Sequence, residues 1–218
     1  METTDIDPID NPTALRIIDA ASQLFMQRGY TAVSITDIIK AARVTKPTLY
    51  YYFADKEALF LHTGLRVLAV MGDEMDSTMA ASAQADFRQR LLTLAEAIMH
   101  DGDRDMRMMR HEMWEHLGPA ARERLAQAFF RRLFAPIIAL MDEGLKAGAL
   151  SGYPPHVLAT MFMGMAESFQ EYGAGSKMSG WAETGKAPVT AMPLTTAHMV
   201  DMFLYGAAGP QARGATAS

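Results

Sequence analysis

The stretch SITDIIKAARVTKPTLYYYFADKEALF, Ser34 to Phe60, decides the fold. It sets three consecutive tyrosines, Tyr50, Tyr51 and Tyr52, between a polar entry bearing Pro47 and an acidic-basic exit. Each buried phenol needs a hydrogen-bond partner, so a core helix rarely carries three in a row. Ser34 is placed to cap a short helix that reaches about Ala42. Thr45 is placed to cap another, with Pro47 in its first turn, where a missing N–H costs nothing. Only Arg43 and Val44 join the two, which is the outline of a helix-turn-helix. Ile35, Ile38, Ile39, Val44, Leu49 and Phe53 have the spacing of a small core, shared with Leu24 and Phe25 of a preceding helix. With Leu49 and Phe53 inward, the ~100° step of a helix drives Lys46, Pro47, Thr48, Tyr51 and Tyr52 outward and leaves Tyr50 on the flank. A cation, small polar groups and phenols on one face suit phosphate oxygens, base edges and thymine methyls.

Working outward, helical spacing recurs along the chain and strand signals are nearly absent, so an all-α fold is predicted. Thr13 is the expected N-cap of the first helix, whose face is Leu15, Ile18, Ala21, Ser22 and Phe25, with Gly29 as its stop. Asp55 caps a fourth helix with Leu59, Phe60, Leu65, Leu68 and Met71 inward. Further helices are expected at roughly 84–100, 105–116, 119–147, 154–172 and 194–206. Pro136 predicts a kink between Arg132 and itself in the long one. Residues 173–193, rich in Gly, Ser and Pro, read as a long mobile loop. The expected division is a flexible acidic N-terminus (1–12), a helix-turn-helix domain (13–58), a larger helical domain (59–207) and a flexible tail (208–218).

Composition narrows the function classes. The absence of cysteine excludes a disulfide framework and zinc-thiolate sites and fits a reducing, cytoplasmic compartment. The polar, acidic N-terminus is no signal peptide, and the apolar run from Tyr153 to Ala166 is shorter than the ~20 residues that span a bilayer. Residues 12–56 hold six bases and three acids, whereas the chain as a whole carries a net charge of -5. A basic head on an acidic body suggests that only the head meets a polyanion. An enzyme is not expected. In HEMWEH the histidines His111 and His116 are five residues apart, about 140° around a helix, and cannot share a metal. His111 with Glu115, or Glu112 with His116, reads as a solvated ion-pair face, and no cofactor or metal is expected.

The motif Leu49-Tyr50-x-Tyr52-Phe53-x-x-Lys56-Glu57-x-Leu59, within a match of about residues 13–60, resembles the TetR-type transcriptional regulators. That resemblance implies a homodimer on a palindromic double-stranded DNA operator, with a repressor released by a small apolar or aromatic effector as the first expectation. An activator or ligand-independent regulator, and a helical protein-interaction module, stand as alternatives. The resemblance places Thr36 against a base or phosphate, Thr45, Lys46, Pro47 and Thr48 in the major groove, and Tyr50, Tyr52 and Lys56 on phosphates. Lys46 is the candidate for a guanine edge. Tyr51 is included in the DNA-binding face with its role open. The chain departs from the family pattern at the turn, where Arg43 replaces the usual glycine, and at Ile39, where a small residue is usual. The family's dimer interface would use Met161, Met165, Phe169, Met199 and Phe203. Its effector pocket would be walled by Met109, Met113, Trp114, Phe129, Met161 and Met165, because methionine suits cavities that accept varied apolar ligands.

Overall fold

The computed structural model describes residues 11–100, 106–173 and 195–206. The expected acidic arm, the loop over 173–193 and the tail lie outside them, apart from their edges. Among the described residues every regular element is helical and no helix is long and apolar enough to cross a membrane. The chain forms two compact units, the described parts of Met1–Met71 with Asp103–Arg132 and of Gly72–Gly102 with Leu133–Ser218.

In the first unit α1 (Pro12–Ala32) begins two residues earlier than expected. Asn11 is the cap, its side chain accepting from the N–H groups of Thr13 and Ala14, so Thr13 sits inside the first turn. Ala14, Ile17, Ile18, Ala21 and Phe25 form the buried face, and Leu15 lies at its half-exposed edge. Gly29 interrupts the helix at φ 77° and ψ 164° rather than ending it, and a further helical turn follows. α2 (Ile35–Ala42) opens on a reciprocal capping box between Ser34 and Asp37. α3 (Lys46–Tyr52) is capped by Thr45, and α4 (Lys56–Ala81) by Asp55, whose carboxylate accepts from Ala58 N–H at 2.7 Å. Ile38, Leu49, Phe53 and Phe25 are buried together with Leu59 and Phe60, which packs α2 and α3 on α1. α6 (Met106–His116) also packs on α1, and α7 (Pro119–Phe129) belongs to the same unit.

The second unit contains α5 (Phe87–His100), α8 (Ala135–Lys146), α9 (Pro155–Gly173) and α10 (Thr196–Tyr205). α5 and α8 each pack on α9, and α10 packs on α5 and α9. Leu91, Leu94, Ile137, Leu140, Met141, Phe162 and Met199 are its largest fully buried side chains. Two ion pairs tie α5 outward, Arg88 to Asp201 at 2.8 Å and Arg90 to Glu143 at 2.7 Å. The kink expected near Pro136 takes the form of a π-helical turn, Phe130–Phe134, between α7 and α8. Proline lacks the N–H for an α-helical bond to Arg132 and its ring crowds that carbonyl, and a widened turn relieves both.

Candidate nucleic-acid interface

The turn between α2 and α3 places Arg43 in the left-handed region, at φ 53° and ψ 48°. It is the residue at which glycine would be expected on backbone grounds, and its exposed side chain accepts that geometry at a modest cost. α3 then starts with a compact polar cap. Thr45 accepts from Thr48 N–H at 3.3 Å, and the two hydroxyls are 2.8 Å apart. Thr36, Thr45, Lys46 and Pro47 are exposed and Thr48 is half-buried. The Lys46 ammonium lies 5.9 Å from the centre of the Tyr50 ring, a loose association that leaves the cation in solvent.

The three tyrosines occupy different environments. Tyr51 is 82% exposed and Tyr50 43% exposed. Tyr52, expected outward, is half-buried: its ring meets Tyr51 edge-on at 5.0 Å and tilts over Phe53 at 6.4 Å. The helix is only seven residues long and ends against Phe53, so its last turn lies close to the core whichever face it shows.

Lys56, expected to project toward phosphate, instead has its ammonium 4.1 Å from the centre of the Tyr30 ring. Burial lowers the Lys56 pKa, and the Glu112 carboxylate acts in the opposite sense. Tyr30 also stacks on His116 at 4.9 Å and on Phe25 at 5.7 Å, and tilts on Phe60 at 4.8 Å. Burial first, then Glu57 and Asp55, raises its phenol pKa. The break at Gly29 frees the Tyr30 N–H, which donates to Glu112 at 2.6 Å. Gly118, the N-cap of α7, has no side chain to offer, and its own N–H donates to Glu57 at 2.7 Å. Glu112, His116, Tyr30 and Glu57 were not singled out as a site by sequence reading. The glycine inside a helical pattern was the available signal, but its partner lies 82 residues away.

The candidate pocket residues divide between the two units. Trp114 is 71% exposed and lies beneath the Arg122 guanidinium at 4.8 Å. Met113 is half-buried, with its terminal methyl against Gly64, and Phe129 is exposed. These three belong to the first unit, whereas the exposed Met161 and half-buried Met165 belong to the second. The Met109 side chain lies outside the described residues. Of the expected dimer contacts, Met199 is fully buried and Phe169 nearly so within their own unit, and Phe203 packs edge-on against Phe162 at 5.2 Å. Among the described residues Met161, Met202 and Tyr205 are the exposed large apolar side chains on α9 and α10, and Gly164 has open space around it.

Residues 17–63 match the model of bacterial regulatory proteins of the tetR family. Residues 17–63 are a TetR-family DNA-binding domain. It is a DNA-binding transcriptional regulator, and the relatives it matches are regulators rather than enzymes. The chain is 26% identical over 150 residues to the uncharacterized regulator YhgD of Bacillus subtilis, covering 67% of this chain and 76% of YhgD. It is 36% identical over 95 residues to the transcriptional activator FasR of Mycolicibacterium smegmatis, covering 39% of this chain and 40% of FasR. Its fold is similar to that of the regulator FadR from Bacillus subtilis in complex with stearoyl-CoA. That likeness has a TM-score of 0.64 at 16% identity, covering 88% of this chain and 98% of FadR.

Proposed function

We propose that the protein is a repressor that binds a palindromic operator as a homodimer and leaves it when a small apolar or aromatic effector binds. The observation that carries this reading is the exposed start of α3, where Thr45, Lys46 and Pro47 stand clear of the core that Leu49 and Phe53 anchor. One such helix reads only a few base pairs, so specificity calls for two heads on one symmetric site. In this reading residues 13–58 act as the head and 59–207 as the effector-binding and dimerising body. Thr36, Thr48, Tyr50, Tyr51 and Tyr52 surround the contact, and Lys46 reads a base edge. The second copy docks through α9 and α10, with exposed Met161, Gly164, Met202 and Tyr205 supplying the apolar surface. Effector binding biases the dimer toward a state whose heads no longer match the ~34–36 Å separation of successive major grooves.

Repression is favoured over activation because occupying promoter DNA suffices to repress, whereas activation also needs a surface for the polymerase. The activator reading draws on FasR. A reporter driven by the promoter beside the protein's own gene separates the two: deleting the protein raises output under repression and lowers it under activation. Gel shifts on the same DNA test the head. Lys46→Ala is expected to lose about 1–3 kcal/mol of discrimination between operator and scrambled duplex. An unchanged preference removes Lys46 from base reading. For the effector, thermal-shift screening starts with long-chain acyl compounds, given the stearoyl-CoA bound to FadR.

A further inference from the structure

We infer that α6 governs the DNA contact made by Lys56, because Glu112 holds the Lys56 side chain in a resting position over Tyr30, out of reach of phosphate. The inference rests on the proposed role of Lys56 as a phosphate contact and adds what restrains it. Three independent features meet at this point. First, Gly29 breaks α1 and turns the Tyr30 N–H outward, and Glu112 accepts it at 2.6 Å, which locks the position of Tyr30 to α6. Second, the Tyr30 ring so placed is covered on its remaining sides by Phe25, Phe60 and His116, and Lys56 is seated on it at 4.1 Å. Third, burial lowers the pKa of that ammonium, and the field of the Glu112 carboxylate favours its charge. A second strut, Glu57 accepting from Gly118 N–H, ties the start of α4 to the end of α6.

An ammonium has one place to be. Seated on the ring it already has a partner without DNA, so a phosphate must draw it away. Any shift of α6 that carries Glu112 away from Tyr30 loosens the restraint and frees the cation. The same shift that moves the heads therefore also changes how strongly each head grips the backbone.

The probe is a short DNA duplex of arbitrary sequence, titrated with the full-length protein across a range of sodium chloride. Glu112→Gln keeps an oxygen that accepts the Tyr30 N–H and removes the charge. It is expected to tighten binding by about two- to fivefold, the worth of one partly exposed charge–charge attraction of up to about 1 kcal/mol. The log–log salt dependence is expected to stay as in wild type, because Lys56 reaches phosphate in both complexes. The gain in affinity is expected to vanish in a Lys56→Ala background and to be absent from Glu115→Gln, which removes the same charge from an exposed neighbour on α6. A gain that persists without Lys56, a matching gain in Glu115→Gln, or no gain at all overturns the inference.

A second measurement does not depend on any variant folding. In the free wild-type protein the Lys56 side-chain methylene resonances are expected to be displaced upfield by the Tyr30 ring current and to lose that displacement when the duplex is added. Normal shifts in the free protein refute the resting position. Upfield shifts that persist in the complex, with Lys56→Ala binding like wild type, show instead that Lys56 never reaches phosphate, and the inference falls with that premise.

Discussion

Gly144→Ala sets two effects of opposite sign against each other. Gly144 is buried in the interior of α8, where alanine is ordinarily worth about 1 kcal/mol more than glycine through helix propensity. The tertiary structure opposes this. A methyl added there would come to 2.6 Å from Cε2 and 3.0 Å from Cε1 of Phe87, and closer still to Cζ. Carbon pairs rest at about 3.5–4.0 Å, so the ring must retreat by roughly 1 Å. It cannot do so freely, because Phe87 begins α5 and its neighbour Arg88 is held to Asp201 by two hydrogen bonds. Overpacking of this kind costs about 1–3 kcal/mol. The clash is therefore expected to win, leaving a net loss of about 1 kcal/mol. Urea denaturation followed by far-ultraviolet circular dichroism measures it, with duplex binding at low temperature as a control that the head is intact. In a Phe87→Ala background the obstruction is gone and only propensity remains, so Gly144→Ala is expected to stabilise by about 0.5–1 kcal/mol. The reversal of sign is the test. A Gly144→Ala protein more stable than wild type would mean that the Phe87 ring does not lie against Gly144.

Three further outcomes are expected. Arg43→Gly should leave stability within about 1 kcal/mol of wild type, whereas Arg43→Val should lose more, because a branched side chain is poorly accommodated at φ 53°; equal melting of the two variants would argue against the left-handed turn. His62 packs edge-on against Phe53 at 5.5 Å, and burial, then Arg124, lowers its pKa below the ordinary 6.5. The folded state then binds fewer protons than the unfolded one, so stability should fall as pH drops from 6.5 through the lower folded value. The comparison is the melting temperature of wild type and His62→Leu against pH, and parallel curves would refute the assignment. The hydrogen bonds from Ser34 hold the Asp37 pKa below 3.8, so the α2 cap should strengthen the fold above that pH and be lost as pH falls through the depressed value. Ser34→Ala should raise the Asp37 titration midpoint in carbon-detected nuclear magnetic resonance, and an unmoved midpoint would show that the capping box does not form.

What the sequence by itself determined is what acts over a few residues. Ser34, Thr45 and Asp55 cap helices because their side chains reach backbone N–H groups two or three positions on, which needs no partner from elsewhere. Leu49 and Phe53 are buried and Tyr51 is exposed for the same local reason, the fixed angular step of a helix. Pro136 marked its distortion because a proline cannot make the bond an α-helix requires. The tertiary structure decided everything that depends on what covers a face. Periodicity assigns Met199 to an apolar stripe but cannot distinguish a neighbouring helix of the same chain from a second copy, and α10 packs on α5 and α9. Trp114 is apolar and still lies outside, beneath Arg122. Lys56 stands at the first position of α4, where sequence pattern turns it toward DNA. Its ammonium rests over the Tyr30 ring, which a broken helix and a hydrogen bond to Glu112, more than 50 residues further along the chain, bring near.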